Sequence, residues 1–319
     1  MQVGFISINN HIKMNKIFLI ATVVLLSFAD VKAQQDPHYT QYMYNMNVIN
    51  PAYAGSKESL SFGLLYRNQW VGIDGAPTTF SISGSAPVGK NIGIGLSVIS
   101  DNIGPVSEKN AYADVSYTLN LGGEHKLAFG IKAGATFQAI GLNSQIAGTL
   151  QVPGDDAFGQ DTNNTNFNLG SGLFYYTDKY YLAFSIPNML KARHLDFNGR
   201  NFGSEVQHYF LTGGYVFDLN PNLKFKPFFM TKFAGGAPAS YDISTNFLIQ
   251  EKLELGVSYR TGDSFSGLVN FAISPSLRIG YAYDRVFSDL RIISTSSHEI
   301  ILLFDLNFPK KVSRSPRFF

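Results

Sequence analysis

The side chains that most often carry out catalysis or bind metals are scattered along this sequence without a recognisable spacing. The chain has six histidines and no cysteine, which excludes a disulfide framework, a cysteine-ligated zinc site and a cysteine nucleophile. No two histidines have the HExxH spacing or another close spacing that would direct two ring nitrogens at one ion. We therefore interpret them as ordinary polar positions and predict no metal site. The histidines are His11, His38, His125, His194, His208 and His298.

Oxygen-rich side chains concentrate in one stretch, which holds Asp155-Asp156 and the run Asp161-Thr162-Asn163-Asn164. A calcium loop needs evenly spaced oxygens and a turn glycine at a fixed position, and this frame is missing, so we predict a solvated loop. Serines are numerous, but no spacing selects one as a nucleophile beside a histidine and an orienting group. Phosphate-binding glycine loops are also absent. The sequence predicts no enzyme and no cofactor.

Charged residues on the polar faces of strand-like stretches are the remaining chemical signal. Both signs occur there and neither dominates. A charge inside a membrane is costly unless it is paired or hydrated. We therefore favour internal ion pairs that stiffen a barrel over a charged path for solute. The charges predicted to face the interior are Arg67, Lys126, Lys132, Lys224, Lys226, Lys232, Arg260 and Arg278, with Asp114, Asp218, Asp242, Glu254 and Asp284.

The scaffold for these side chains is a series of β-strands. From Ser59 onward, apolar and polar residues alternate with the period of two that is typical of strands, as in residues 111–121. Such runs amount to about fourteen strands, and an even number is typical of bacterial outer-membrane barrels. The predicted strands begin near Ser59, Thr78, Asn91, Asn110, Lys126, Asn166, Tyr180, His208, Leu223, Tyr241, Lys252, Ser264, Leu277 and His298.

Composition favours a membrane barrel over a soluble β-sandwich. Charged residues make up 15% of the chain and aromatic residues 14%, whereas soluble proteins have about 25% charged residues. The polar strand faces carry mostly Ser, Thr, Asn and Gly, which suit a crowded interior better than a wetted surface. Short turns are predicted after every second strand and longer loops elsewhere, especially 139–165 and 187–207. This alternation of short turns and longer loops predicts an all-β transmembrane antiparallel barrel with both mature termini on the periplasmic side.

The first 33 residues have the character of an export signal. Lys13 and Lys16 precede the apolar run Ile17–Ala29, which is shorter than the ~20 residues that a bilayer-spanning helix needs. Val31-Lys32-Ala33 fits a small-residue cleavage site, so we predict translation from Met14 and a mature chain from Gln34. A membrane anchor is the alternative. The mature chain is close to neutral, and no basic surface for nucleic acid is predicted.

Residues 34–58 are too apolar for a solvated linker, and Pro51 and Gly55 argue against one long helix. We predict that this segment is a plug-like element docked into or beneath the barrel. The predicted organisation is a signal peptide over 1–33, the plug segment over 34–58, the barrel over 59–308 and a basic tail over 309–319. The residues predicted to form the plug contacts are Tyr39, Tyr42, Tyr44, Asn50, Pro51 and Tyr53.

Three runs in this first part of the chain carry a family resemblance. They are DPHYTQYMYNMNVINPAYAGS from Asp36, YRNQWVGIDGAPTTFSISGSAPV from Tyr66 and IGIGLSVISDNIGP from Ile92. They resemble the PorP/SprF family of outer-membrane proteins from the type IX secretion and gliding machinery of Bacteroidetes. The resemblance implies a non-catalytic barrel in the outer membrane. Its implied partners are an exported adhesin or other secretion components, and periplasmic peptidoglycan-associated components. Core secretion and service to one dedicated adhesin both stay open.

A channel for hydrophobic solutes is the alternative function, because fourteen strands with an N-terminal plug containing Asn50-Pro51-Ala52 also resemble fatty-acid transporter barrels. An anchor should present ordered structure at the loop end, and the connection 68–77 is the candidate. It holds the single tryptophan of the chain, Trp70, between Asn68 and Asp74. Tryptophan is enriched in binding contacts and also in membrane-interface girdles. Asn68, Trp70 and Asp74 are therefore candidate partner contacts, and a girdle or packing role is the competing interpretation.

Overall fold

The computed structural model describes residues 39–141, 161–190, 196–197, 200–201, 206–235, 237–288 and 296–306. The predicted signal peptide, the oxygen-rich stretch 155–160, His11, His38 and His194, and the basic tail lie outside these residues. The strands are β1 Leu60–Asn68, β2 Thr78–Pro87, β3 Ile92–Ile103, β4 Val106–Gly122, β5 His125–Ile140, β6 Thr162–Tyr176, β7 Tyr180–Ile186, β8 Asp196–Phe197, β9 Arg200–Asn201, β10 His208–Tyr215, β11 Phe217–Asn220, β12 Leu223–Ala234, β13 Ala237–Ile249, β14 Leu253–Arg260, β15 Ser264–Ala272, β16 Leu277–Val286 and β17 Ser296–Leu306.

The strands close into an antiparallel barrel. Strands β1 to β7 pair in sequence order, as do β12 to β17. The barrel closes because β1 pairs with β17 and because β10 pairs with both β7 and β12. The short strand β11 continues β10 after Val216, and β8 and β9 form a separate two-stranded pair. The barrel therefore has fourteen strands, which confirms the predicted fold class and strand number.

The two faces of the wall differ as the alternation predicts. In β4, Val115 and Tyr117 are exposed, whereas Asp114 and Ser116 are buried. The outer face carries an apolar belt of exposed side chains, which includes Val115, Tyr117, Val257, Phe271, Ile279 and Phe304. The pattern is inside out relative to a soluble protein, because the apolar side chains face outward and the polar ones are enclosed. Among the described residues, no helix is long and apolar enough to cross a membrane.

The connections alternate in length less than predicted. The short turns expected after every second strand are present, for example at residues 123–124 and 177–179. At the opposite end, which we call the loop end, some connections are equally short: Gly104-Pro105 joins β3 to β4 and residues 261–263 join β14 to β15. The fourth strand begins at Val106 rather than near Asn110, because β3 and β4 extend further and pair up to Ile103 and Val106.

Residues 39–59 precede β1 and are packed inside the barrel wall. They form a 3-10 turn at Tyr42–Tyr44, one α-helical turn at Met46–Ile49 and a second 3-10 turn at Pro51–Tyr53. Asn50 caps the last turn, because its side-chain oxygen accepts a hydrogen bond from the Ala52 amide at 2.9 Å, and Pro51 at the first helical position has no amide to satisfy. The local sequence thus breaks the segment into short turns rather than one helix.

The two wall faces should respond differently to substitution. Val257→Arg places a charge on the outer face near the middle of β14, where it should lower the free energy of unfolding by about 2–4 kcal/mol. The adjacent Ser258 faces inward and its hydroxyl accepts a hydrogen bond from the Ser244 hydroxyl at 2.8 Å, so Ser258→Ala should cost about 1 kcal/mol. Urea titration of the barrel in lipid vesicles measures both. Equal losses would indicate a sheet that is buried on both faces.

Candidate functional site in the barrel lumen

The N-terminal segment crosses the lumen from the loop end to the end that carries the short turns. Its first described residue, Tyr39, accepts a hydrogen bond on its carbonyl from Arg260, the last residue of β14, at 3.3 Å. Its last residues reach the opposite end, where Lys57 pairs with Asp305 at 3.4 Å and Glu58 with Lys126 at 2.6 Å. The described segment is therefore a lumen-crossing stretch of chain rather than a cap beneath the barrel.

A buried cluster joins this segment to the seam between the first and last strands. The Arg67 guanidinium on β1 lies 2.7 Å from Asp284 on β16 and 3.1 Å from Glu299 on β17. The Glu299 carboxylate also accepts the backbone amides of Thr40 at 2.9 Å and Gln41 at 2.8 Å. Arg67 is 2% exposed and Glu299 is fully buried. One carboxylate thus binds β1 and the N-terminal segment at once.

The Thr40 hydroxyl completes the cluster, because it donates to Asp284 at 2.9 Å and accepts from Arg67 at 3.0 Å. Next to it, Arg260 pairs with Asp242 at 2.8 Å. Charge-assisted hydrogen bonds are about twice as strong as neutral ones, and here they fix the loop-end part of the segment from several strands.

Further ion pairs hold the middle of the segment. Lys132 on β5 lies 3.5 Å from Asp114 and donates to the Val48 carbonyl at 3.0 Å. On the other side, Lys226 pairs with Glu254 at 3.1 Å, and the Tyr44 hydroxyl donates to the same carboxylate. The predicted internal ion pairs are confirmed for these residues, and several of them bind the segment as well as each other.

Neutral polar contacts and aromatic packing fill the spaces between the ion pairs. Ser116 donates to the Ala54 carbonyl at 2.6 Å, and Ser185 donates to the Ile49 carbonyl at 2.9 Å. The Tyr53 ring packs edge-on against Phe174 with centroids 5.2 Å apart. Asn50 has a second role, since its amide group donates to the Leu173 carbonyl at 3.0 Å. The plug candidates Tyr39, Tyr42, Asn50, Pro51 and Tyr53 are all buried, and Tyr44 is partly buried against the same core.

Glycines in the wall allow the segment to approach the strands closely. A Cβ atom on Gly130 of β5 would overlap the backbone of Pro51 and Ala52, and one on Gly93 of β3 would overlap the carbonyl group of Ala54. A Cβ on Gly172 would collide with the Asn50 side chain. These small inward-facing residues therefore make room for the N-terminal segment rather than for solvent.

A small cavity lies at the loop-end side of the segment. Its volume is ≈ 60 Å³, and Tyr39, Val48, Tyr112, Phe210 and Lys232 are among the residues that line it. A cavity needs about 10–15 Å³ of such volume to hold a water molecule, so this space has room for water. An apolar cavity that binds benzene measures about 150 Å³.

The connection 68–77 is compact, as the sequence predicts. The Trp70 amide donates to the Ser297 hydroxyl at 3.1 Å and the Val71 amide to the Ser296 carbonyl at 2.9 Å. The Gly75 carbonyl accepts the Gly104 amide of the neighbouring turn at 2.8 Å. Trp70 has a φ of 48°, in the left-handed region. Asn68 and Trp70 are half-buried and Asp74 is exposed, so the three candidate contacts share one fixed loop, and Asp74 is the most accessible of them.

The structure corrects one predicted interior charge, Asp218, and adds two buried carboxylates, Asp101 and Glu299. Asp218 is about half exposed and pairs with Lys179 at 3.3 Å, because β11 pairs with β12 alone and all of its residues are exposed. Glu299, which lies one residue after the predicted strand start at His298, is fully buried and is absent from the predicted interior charges. Extending the alternation of β17 back by one residue from Ile300 would have placed Glu299 on the inward face.

The three histidines that the structure describes lie apart from one another. His125 hydrogen-bonds to Tyr175 and His298 to Tyr281, each at 2.6 Å on the exposed side, while His208 is buried beside Phe210. Among the described residues, no group of three His, Asp or Glu side chains could hold a metal ion.

Comparison with known proteins identifies the family. The model of the type IX secretion system membrane protein PorP/SprF matches residues 31–304. The chain belongs to the PorP/SprF family. The resemblance carried by the three N-terminal runs is thereby confirmed, and with it a membrane protein of type IX secretion. No curated protein matches the sequence of this PorP/SprF member.

Solved structures show where the PorP/SprF fold has relatives. The CymD monoaromatic hydrocarbon channel is 12% identical, with 83% of this chain and 93% of the channel covered and a TM-score of 0.52. The P. putida toluene transporter TodX is 11% identical, with 83% and 94% covered and a TM-score of 0.48. At this identity the likeness concerns the fold alone, which is that of outer-membrane barrels.

Removing the Arg67 guanidinium should lower the stability of the barrel far more than removing a cation at the surface. Arg67→Met leaves Asp284 and Glu299 buried without their guanidinium partner, and breaking a buried pair in this way costs about 3–5 kcal/mol. The matched control is Lys179→Met, which removes a roughly half-exposed partner of Asp218 and should change stability by less than about 1 kcal/mol. Urea unfolding in vesicles measures both. An Arg67→Met barrel as stable as the control would contradict a structural role for the cluster.

Proposed function

We propose that this protein is a non-catalytic, closed barrel that serves type IX secretion by holding an exported adhesin at the outer membrane. The observation that carries the proposal is the occupied lumen: residues 39–58 cross it and are bound by buried ion pairs from opposite walls. A barrel filled in this way offers a rigid platform rather than a path. The periplasmic side, where the short turns lie, is available to peptidoglycan-associated components of the machinery.

Two features of the lumen support closure. The charges are mutually paired, so they do not form a stripe of one sign that would guide an ion. The cavity beside Tyr39 measures ≈ 60 Å³, far smaller than the ~150 Å³ of a site that accommodates benzene, and a wider space of ≈ 330 Å³ lies at the short-turn end beside Gly55, Glu58 and Lys126. Passage of a solute would require the segment to move, and the Glu299 carboxylate and the Arg67 guanidinium would then lose partners in a low-dielectric environment.

A channel for hydrophobic solutes is the second candidate. It is favoured by the likeness of the fold to a monoaromatic hydrocarbon channel, at a TM-score of 0.52, and by the apolar share of the cavity lining around Tyr39, Val48 and Phe210. In this case the N-terminal segment would act as a gate. The two candidates differ in whether the native barrel conducts and in whether an adhesin depends on it.

The loop-end connection 68–77 is the part of the barrel that we assign to the exported partner. Its backbone is fixed from two sides, by β17 and by the turn at Gly104. A preorganised loop loses less entropy on binding than a mobile one. Within this connection Asp74 is exposed and Trp70 is half-buried. A partner could therefore contact the Asp74 carboxylate and the accessible edge of the Trp70 indole ring without unfolding the loop.

Substitution of this loop tests the proposed platform. Trp70→Ala with Asp74→Ala should leave a correctly inserted, heat-modifiable barrel while the adhesin disappears from the cell surface. The matched control is Val88→Ala with Lys90→Ala, which removes an exposed apolar and an exposed charged side chain in a turn at the opposite end. Surface immunolabelling of the adhesin is the measurement. Absence of the doubly substituted barrel from the membrane would make the loop structural, and normal adhesin levels would remove its partner role.

Conductance in planar bilayers separates the two candidate functions. The native barrel should show no steady current. Gly130→Val, whose side chain would displace Pro51 and Ala52, should open a leak, because the segment can no longer pack against β5. Gly267→Val is the matched control, since a Cβ there has no neighbour within 4 Å. Steady current through the native barrel would favour the channel, and silence of the Gly130→Val barrel would contradict closure by the segment.

A further inference from the structure

A polar pocket lies in the mouth of the barrel at the short-turn end. It measures ≈ 330 Å³ and is lined by the end of the N-terminal segment, by the turn between β2 and β3, and by the neighbouring ends of β4, β5 and β6. We propose that this pocket binds an acidic side chain on an extended segment of a protein partner that approaches from the short-turn end. The proposal does not depend on the role in adhesin anchoring, which concerns the loop end.

The end of the N-terminal segment forms the floor of the pocket. The Ala54 carbonyl accepts the Ser116 hydroxyl at 2.6 Å, and Gly55 lies against the backbone of Gly93. The Glu58 amide donates to the Gly55 carbonyl at 3.1 Å, which closes a turn just before β1. Because backbone contacts hold the floor in place, the pocket is formed before any ligand enters, and binding loses less entropy than it would on a mobile surface.

The charged side chains of the lining favour an anionic ligand. They comprise two lysines, Lys90 and Lys126, and one carboxylate, that of Glu58, which gives a net charge of +1. Lys126 lies 2.6 Å from Glu58, whereas Lys90 forms no ion pair with another residue of the part of the chain that the structure describes. A partly enclosed space lined by an excess of one sign concentrates ions of the opposite sign. The Lys90 ammonium is therefore available to an incoming carboxylate.

Two side-chain amides in the lining favour a peptide over a free ion. Asn91 and Asn120 border the pocket, and within the described chain their amide groups form no hydrogen bond. An amide side chain both donates and accepts, so the two asparagines suit the peptide groups on either side of an acidic residue. The volume is more than twice the ~150 Å³ of a cavity that accommodates benzene. It therefore has room for a carboxylate side chain together with its backbone.

The position of the pocket argues against a lipid phosphate as the ligand. Lys126 and Tyr176 lie on the inward faces of β5 and β6, on the same side as the buried Lys132 and Phe174. The apolar belt occupies the opposite face of the wall, where the bilayer lipids lie. A ligand therefore enters from the aqueous phase at the mouth of the barrel, which a polypeptide can reach.

Glu58 acts as an internal competitor for the same site. The side chains of Lys126 and Glu58 are 22% and 27% exposed, and ion pairs this accessible contribute little to stability. An incoming carboxylate can therefore replace Glu58 beside Lys126 without disturbing the barrel. Neutralising Glu58 should then strengthen binding of an acidic peptide, whereas neutralising Lys90 should weaken it. A general attraction between peptide and barrel would not single out Lys90 among the lysines of this end.

Fluorescence anisotropy with the intact purified barrel in a nonionic detergent tests the proposal. The probe is a pentaglutamate peptide with a neutral dye, and a pentaglutamine peptide is the reference. Lys90→Gln should weaken binding of pentaglutamate about tenfold, the loss expected for a hydrogen bond between charged groups. The matched control is Lys252→Gln, which neutralises an exposed lysine in another turn of the same end and should change the affinity by less than about twofold at physiological salt. Glu58→Gln should strengthen binding.

Heat-modifiability establishes that each variant is folded before its affinity is compared. Equal weakening by Lys90→Gln and Lys252→Gln would indicate attraction by overall charge and would overturn the proposal. Absence of pentaglutamate binding to the native barrel, or weaker binding to Glu58→Gln, would overturn it as well. Inorganic phosphate that displaces the peptide at equal concentration would make this a site for free anions instead. Loss of surface adhesin without a change in peptide binding would affect only the proposed function.

Discussion

The requirement that buried charges be paired dominates this structure, and the cluster of Arg67, Asp284 and Glu299 is its centre. Removing a carboxylate from water costs several kcal/mol, which is recovered only when its lone pairs are satisfied in good geometry. Glu299 meets this condition with one guanidinium and two backbone amides, those of Thr40 and Gln41. The β1–β17 seam and the N-terminal segment therefore depend on the same carboxylate, so closure of the barrel and placement of the segment are energetically linked.

The same requirement explains why the polar lumen wall is lined by the N-terminal segment. Ser, Asn and Gly on the inward faces are too small to fill a barrel of this size by themselves, and their hydrogen-bonding groups need partners. The segment supplies both volume and partners, through its tyrosine and methionine side chains and its backbone carbonyls. Glycines such as Gly93 and Gly130 then admit the chain at distances that any larger residue would prevent. The wall and the segment are complementary surfaces of one core.

Outside the barrel the constraint reverses. The exposed faces carry Val, Ile, Leu and Phe across the belt, which is where a hydrocarbon phase replaces water as the solvent. At the loop end, the connection 68–77 is held by backbone hydrogen bonds to β17 and to Gly104, so its conformation is tied to that of the wall.

The sequence alone determined the strands, their number and the two faces of the wall, because alternation with a period of two can be recognised within each short run of residues. It also determined that the charges would be paired, since neither sign dominates among them. The family followed from three N-terminal runs. Only the tertiary structure decided which charges meet, that Glu299 joins them while Asp218 does not, and that residues 39–58 run from the loop end to the short-turn end. Those outcomes depend on contacts between residues more than 200 positions apart, and no local pattern encodes which of several facing side chains will be neighbours once the barrel closes.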